Sequence, residues 1–260
     1  MIDIKTIAQL RAQTGAGMME CQQALKEAAG DIDQAIEVLR KKGALKAAKK
    51  AERITKEGVV AIKIAEDHKK GSMVAVNCET DFVAKNQDFI SFVNELLEKQ
   101  FTNNNAEAGF NSQKEEQVLK IGENLIFGRA DTLEGNYVAG YLHANKKVAS
   151  LVVFNKEIPA ELAHDIAMQI VADQPKYNQP ENVPAEELAK EKEIYREQLK
   201  NEGKPEQVMD KIIEGKINKY YEDVCLLNQK FIKDDSQTIG QLLQTAGEDI
   251  QVVRFSRYQV

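Results

Sequence analysis

The chain has 260 residues, of which 29% are charged, 43% hydrophobic and 6% aromatic, and its formal net charge is −6. A chain of this length can form about one to three compact units, and the lack of any run of ~20 apolar residues excludes a membrane-spanning helix. The negative net charge disfavours non-specific binding of nucleic acid by the molecule as a whole.

The chain contains three widely spaced cysteines, Cys21, Cys78 and Cys225. No two of them have the spacing of zinc ligands or of a redox motif, which favours a reducing compartment. The N-terminal residues 1–5 show neither a secretory signal nor an Arg-rich transit pattern. We therefore expect a cytoplasmic protein.

Three short helices are predicted at the start of the chain. Apolar periodicity indicates helices over residues 4–14 and 18–29, on either side of a glycine-containing turn. Gly30 ends the second helix, and Asp31 is the expected N-cap of the third. Together these elements predict a small helical module.

A basic segment follows, from Arg40 to Lys56, with eight basic residues and one acidic residue, Glu52. Its alanines favour a helical linker. A nucleic-acid contact is the alternative, but no aromatic side chains are interleaved for base stacking.

The same order of elements occurs twice in the middle of the chain. Residues 59–64 and 72–78 are predicted strands that precede a helix with an aromatic face, which includes Phe82. Residues 137–143 and 147–154 are again predicted strands, and a helix follows from Pro159. This pattern indicates an internal duplication in an α+β core. Between the halves we predict a polar loop over 102–112 and a short helix over 113–122.

A charged segment with two narrow apolar stripes lies between Pro184 and Asp223. The stripes are separated by a Gly/Pro turn, which predicts an antiparallel coiled-coil hairpin. After it, a helix over 238–243 and an alternating strand over 250–255 are expected to return to the core.

Common catalytic and nucleotide-binding motifs are missing from the sequence. It has no P-loop, no dinucleotide-binding glycine motif and no nucleophile elbow. Its three histidines have no metal-ligand spacing. We therefore expect a protein that is not an enzyme and that needs no cofactor or metal.

Two motifs allow both a structural and a functional interpretation. In the segment 14–21, Met18 and Met19 open a helix, and we expect one to be buried and the other exposed to a partner. In the segment 77–86 a strand ends and a helix begins, so Thr80 or Asp81 is an expected N-cap and Phe82 could point into the core.

These two motifs together resemble the bacterial elongation factor Ts family. The strings Thr14–Met19 and Thr80–Lys85 stand in family order and at family spacing, and the resemblance covers nearly all of residues 4–255. Further matching segments are Gly30-Asp31-Ile32, Arg40–Ala44 and Lys120–Asn124.

The resemblance implies a guanine-nucleotide exchange factor for the GTPase elongation factor Tu. By position in the family motif, Thr80, Asp81, Phe82 and Val83 would approach the magnesium side of the partner's nucleotide site and dislocate the ion. The further partner-binding positions that the resemblance implies are Arg11, Met18, Met19, His143 and Ile232.

Two departures from the family pattern bear on partner contacts. Gln22 stands where many members carry lysine, which puts that contact in doubt. Many members continue beyond the position of Val260 into a C-terminal helix, so we expect the contact of that helix to be missing.

The expected architecture is α+β with four units. They are a three-helix, UBA-like N-terminal module and linker (1–54), a core subdomain N (55–140), a core subdomain C (141–183 and 224–260) and the inserted coiled-coil hairpin (184–223). The hairpin could mediate self-association or contact the partner. We expect no direct nucleic-acid binding and no membrane contact.

The sequence leaves two other classes of function as alternatives to nucleotide exchange. The first is an RNA- or ribosome-associated protein that uses the basic segment 40–56. The second is a hydrolase with scattered carboxylates, which would need a pocket that holds acids of perturbed pKa.

Overall fold

The computed structural model describes residues 2–247 and 249–260 of the chain; Met1 and Glu248 lie outside them. Helices and antiparallel sheets both contribute to this part of the chain, so the predicted α+β class is confirmed. None of the helices described there is long and apolar enough to cross a membrane.

The three predicted N-terminal helices are present as α1 (Ile4–Thr14), α2 (Met18–Glu27) and α3 (Ile32–Lys50). Asp31 caps α3, because its carboxylate accepts a hydrogen bond from the Gln34 backbone N–H at 2.8 Å. Gly15 adopts a φ of +66° at the end of α1, a conformation that glycine reaches without steric cost. The helices pack around a shared apolar core that includes Leu10, Leu25 and Leu39.

The first sheet contains β1 (Glu57–Ile64), β2 (Lys70–Cys78) and β3 (Ile126–Glu134), paired antiparallel in that order. The short helix α4 (Asp81–Ala84) follows β2. Helices α5 (Gln87–Asn103) and α6 (Ala106–Ile121) then come before β3. An aromatic group of Phe89, Phe92 and Phe110 fills the core between the sheet and these helices.

The polar loop predicted over residues 102–112 is wrong in most of its length, because α6 begins at Ala106. Asn104 ends α5 in the left-handed conformation, and a turn of two residues suffices to start the next helix. Ala106 and Phe110 are buried, so α6 has an apolar anchor that the surrounding polar residues obscure in the sequence.

The basic segment continues α3 to Lys50, so its predicted helical structure is confirmed over most of its length. However, this part of α3 packs closely against α6. A Cβ atom at Gly43 would lie 2.9 Å from the Glu115 carbonyl oxygen, so glycine is needed for the approach. The segment therefore joins the helical module firmly to the first sheet and its helices.

The second sheet contains β4 (Tyr137–Leu142), β5 (Val148–Phe154) and β8 (Val252–Gln259), also antiparallel in that order. Helix α7 (Ala160–Asp173) packs on it. The predicted last strand is shifted from 250–255 to the range of β8, which pairs with the full length of β5.

The two sheets face each other across a second layer of core. Met73 and Leu133 of the first sheet pack there with Val138 and Leu151 of the second. The break between the sheets lies between β3 and β4, so the boundary expected at residue 140 falls within β4. The division into four units stays a prediction.

The charged segment forms two helices, α8 (Ala185–Asn201) and α9 (Glu206–Val224), which pack against each other as a hairpin. The predicted apolar stripes form its seam, in which Leu199, Met209, Ile213 and Ile217 are buried. A small hairpin of β6 (Lys230–Phe231) and β7 (Asp234–Thr238) and the helix α10 (Ile239–Ala246) lead to β8.

Candidate functional site

Helix α4 presents Phe82 to solvent at the point where β2 ends. The Phe82 side chain is 81% exposed, whereas its neighbour Val83 is buried in the core beneath the first sheet. Each residue of a helix turns by about 100°, so the inward position of Val83 directs Phe82 outward.

The expectation that Phe82 belongs to the aromatic face of one long helix is wrong. Two separate helices replace the single predicted helix, because Asn86 caps α5 by accepting a hydrogen bond from the Asp88 N–H at 2.7 Å. Thr80 is the N-cap of α4, as predicted; its hydroxyl oxygen accepts from the Val83 N–H at 3.4 Å.

Glu123 holds the N-terminal end of α4 from the loop after α6. The backbone N–H groups of Glu79 and Thr80 both donate to Glu123 Oε2, at 2.9 and 3.0 Å. The Thr80 hydroxyl donates to Glu123 Oε1 at 2.5 Å. In the sequence, Glu123 stands out only as part of the string Lys120–Asn124, and its distance from residue 80 along the chain gives no signal of this contact.

Asp81 forms an exposed ion pair with Lys85 one turn later, with 2.7 Å between Oδ2 and Nζ. The hydrogen bond from Lys85 lowers the pKa of Asp81, and the charge of Lys147 contributes to the same direction. Asp81 is therefore ionised at neutral pH and places a negative charge next to Phe82.

Arg11, Met18 and Met19 line one groove between α1 and α2, with a volume of about 540 Å³. Met18 is 57% and Met19 76% exposed, so the expectation that one of them is buried is wrong. Ala16, in the turn before α2, fills the core at this point and leaves both methionines outside. The other lining residues are Ile4, Ile7, Ala8, Ala12 and Gln22.

His143 and Ile232 line a second cleft, of about 520 Å³, although they lie far apart in the sequence. The Tyr141 hydroxyl lies 3.2 Å from His143 Nδ1, within hydrogen-bond distance. Lys147 lines the same cleft and pairs with Glu57 at the start of β1. The second cleft and the α1–α2 groove have no lining residue in common.

Four of the eight basic residues in the segment 40–56 have polar partners among the described residues. Lys42 pairs with Glu27 at 2.8 Å, and Lys46 pairs with Glu20. Arg53 lies 3.5 Å from Glu79, and Lys50 donates to the carbonyl oxygen of Gly122. These contacts reduce the field that an RNA backbone would meet.

Within the described residues, no three His, Cys, Asp or Glu side chains are grouped so that they could hold a metal ion. The three cysteines are free and buried. Burial raises the pKa of the Cys78 thiol to about 12 and that of Cys225 to about 11. Neither thiol is therefore suited to act as a nucleophile at neutral pH.

Comparison with known proteins gives a consistent result over the whole chain. The family model described as elongation factor TS matches residues 79–260. The protein named elongation factor Ts of Hahella chejuensis is 43% identical, over 100% of this chain and 92% of its own length. Those of Nautilia profundicola and Halothermothrix orenii are 45% and 41% identical, over 96% and 100% of this chain and 90% and 92% of their own lengths.

Proposed function

The chain belongs to the elongation factor Ts family, and we propose that it is the guanine-nucleotide exchange factor of the translational GTPase elongation factor Tu. Its place in translation elongation follows from the family. The proposal extends to the mechanism, which is release of GDP through disturbance of the partner's magnesium and phosphate site.

The exposed and firmly mounted Phe82 is the observation that carries this mechanism. An aromatic side chain that is 81% exposed contributes little to the stability of the free protein, so its presence is better explained by a contact with a partner. Thr80 and Val83 fix the helix on which it stands, and the charge of Asp81 accompanies it. A rigid wedge of this kind can transmit strain to the elements that hold a magnesium ion.

The groove and the cleft supply binding energy in this proposal. Arg11, Met18 and Met19 would contact the nucleotide domain of elongation factor Tu, since exposed methionines adapt to the shape of a partner. His143 and Ile232 would contact another part of the same partner. Separate surfaces allow the factor to remain bound while α4 disturbs the nucleotide site.

Thermodynamic linkage explains why such a factor requires no catalytic side chain. If the chain binds the nucleotide-free GTPase more tightly than the GDP form, it weakens GDP binding by the same factor. A thousandfold faster release requires a barrier lower by about 4 kcal/mol. An inserted aromatic ring and a distorted magnesium site are sufficient in principle for an effect of this size.

The test is the rate at which elongation factor Tu releases fluorescently labelled GDP. We expect the unaltered chain to accelerate release, and Phe82→Ala to reduce the acceleration by about tenfold or more. Val253→Ala, which truncates an exposed apolar side chain of β8 outside the three surfaces, is the matched control and should act like the unaltered chain. No acceleration by the unaltered chain would overturn the exchange function, whereas full activity of a folded Phe82→Ala variant would overturn the wedge alone.

A further inference from the structure

The segment Lys120–Asn124, at the end of α6, contacts several elements that carry the candidate surfaces. The Lys120 side chain packs beside Gly15 in the turn before α2 and pairs with Asp88 at 3.4 Å. The buried Asn124 side chain donates to the Arg53 carbonyl oxygen at 2.9 Å, which ties it to the chain just after α3. Glu123 lies between these two residues.

Glu123 collects three donors from the two residues that precede α4. Two backbone N–H groups share one of its carboxylate oxygens, and the Thr80 hydroxyl occupies the other. Hydrogen bonds to an ionised acceptor are stronger than bonds between neutral groups, and Glu123 is partly shielded from water. A fourth hydrogen bond connects the same two segments, since the Glu79 side-chain Oε1 accepts from the Asn124 N–H at 2.7 Å.

The direction of Phe82 depends on these hydrogen bonds because α4 is too short to be stable alone. A helix of four residues lacks the length that isolated helices need in water. Phe82 itself is exposed and has no core contact that would fix it. The helix is held by Val83 and Ala84, which pack in the core, and by the clamp of Glu123 on the preceding residues.

We propose that Glu123 is a positioning residue for Phe82. Its three hydrogen bonds clamp Glu79 and Thr80 in place and thereby fix the direction of the aromatic ring of Phe82. This inference rests on the exchange function proposed above. Glu123 lines neither the groove nor the second cleft. In this proposal it acts on the partner only through α4.

The clamp can be tested on the isolated chain by amide hydrogen exchange. In Glu123→Ala, the amides of Glu79 and Thr80 should exchange about tenfold faster or more, since both lose their acceptor. Glu123→Gln should restore much of the protection, because its amide oxygen can accept both N–H groups and its NH₂ can donate to Thr80 Oγ1. Glu116→Ala, which truncates an exposed glutamate of α6, the helix before Glu123, is the control. Unchanged protection in a folded Glu123→Ala variant would overturn the clamp.

The positioning role is tested by a double-mutant cycle with Phe82→Ala in the assay of GDP release. Glu123→Ala should lower the maximal release rate about tenfold, while the concentration of factor needed for half of that rate changes by less than about twofold. Glu123→Gln should recover most of the rate. In the Phe82→Ala background, Glu123→Ala should cause no further loss.

The outcomes separate this role from the function on which it rests. If the unaltered chain does not accelerate release, the exchange function is overturned and the role falls with it. If release is accelerated but Glu123→Ala causes the same loss with and without Phe82, the positioning role alone is overturned. A weaker half-saturation with an unchanged maximal rate would also overturn it, because it would show loss of binding.

Discussion

The residues of α4 divide sharply between the core and the solvent. Val83 is buried and Phe82 is exposed, while Thr80 and Asp81 are bound to Glu123 and Lys85. The same contrast occurs at the start of α2, where Ala16 is buried and both following methionines are exposed. At both places a small or branched residue fills the core, and large adaptable side chains are left for a partner.

The methionines of the groove should matter for binding and little for folding. Met19→Ala truncates a side chain that is 76% exposed, so we expect the free energy of unfolding to change by less than about 0.5 kcal/mol. The affinity for nucleotide-free elongation factor Tu should fall by about 1–2 kcal/mol, as for a central interface contact. Calorimetric titration measures the affinity. Leu45→Ala, an exposed residue of α3 outside the groove, is the control, and an equal loss there would contradict the assignment.

The buried thiols should be unreactive in the native chain. Burial raises the pKa of Cys78 to about 12 and also raises the pKa of Cys21, which disfavours the thiolate that attacks a disulfide reagent. We expect the folded chain to react with an aromatic disulfide at least about a hundredfold more slowly than the chain in denaturant. Rapid labelling of native Cys78, followed by mass spectrometry, would contradict the burial described above.

At the scale of elements, the close packing of α3 on α6 links the helical module to the rest of the chain. Gly43 permits the approach of the two helices, and Lys50 and Asn124 connect their ends. The basic segment thus has a structural use for several of its charges. Its prediction as a linker was right about helical structure and gave no indication of this contact.

Two helical glycines, one at the contact between α3 and α6 and one on α9, should respond in opposite ways to replacement by alanine. Gly43→Ala places a Cβ 2.9 Å from a backbone carbonyl, which should destabilise the chain by about 1–3 kcal/mol. Gly215→Ala, on α9, places its Cβ in open space and should stabilise by about 0.5–1 kcal/mol, since alanine favours helix. Urea unfolding of both variants measures the difference. A Gly43→Ala variant as stable as the unaltered chain would contradict the tight approach.

At the scale of the whole molecule, a polar network holds the base of the hairpin formed by α8 and α9. Glu187 accepts hydrogen bonds from the hydroxyls of Tyr177 and Tyr220, both at 2.6 Å. Val183 and Val224, which flank residues 184–223, pack in one small cluster. The core of the two sheets does not use the apolar residues of the seam.

We expect the rest of the chain to fold when residues 184–223 are replaced by a short glycine-rich linker. Val183 and Val224 already lie together, so closing the chain there costs little loop entropy. Cooperative thermal unfolding of the variant is the measurement, and loss of the cooperative transition would contradict the independence of the core. The same variant tests self-association through the hairpin: the full chain would sediment as a dimer and the variant as a monomer.

Local sequence determined much of the architecture. Glycines, caps and apolar periodicity predicted the N-terminal helices, the paired strands and the hairpin seam, because these signals act over a few residues. The failures occurred where local signals compete. Polar residues obscured the start of α6 at Ala106, and Asn86 divided one predicted helix into two.

The sequence by itself also pointed to Phe82, Met18 and Met19 as important, through motifs that resemble a known family. Only the tertiary structure decided that all three are exposed, because exposure depends on which neighbour occupies the core. It also placed His143 and Ile232 in one cleft and bound Glu123 to Thr80, although the members of each pair lie far apart in the chain. Such pairs are set by packing of whole elements, and no local pattern encodes them.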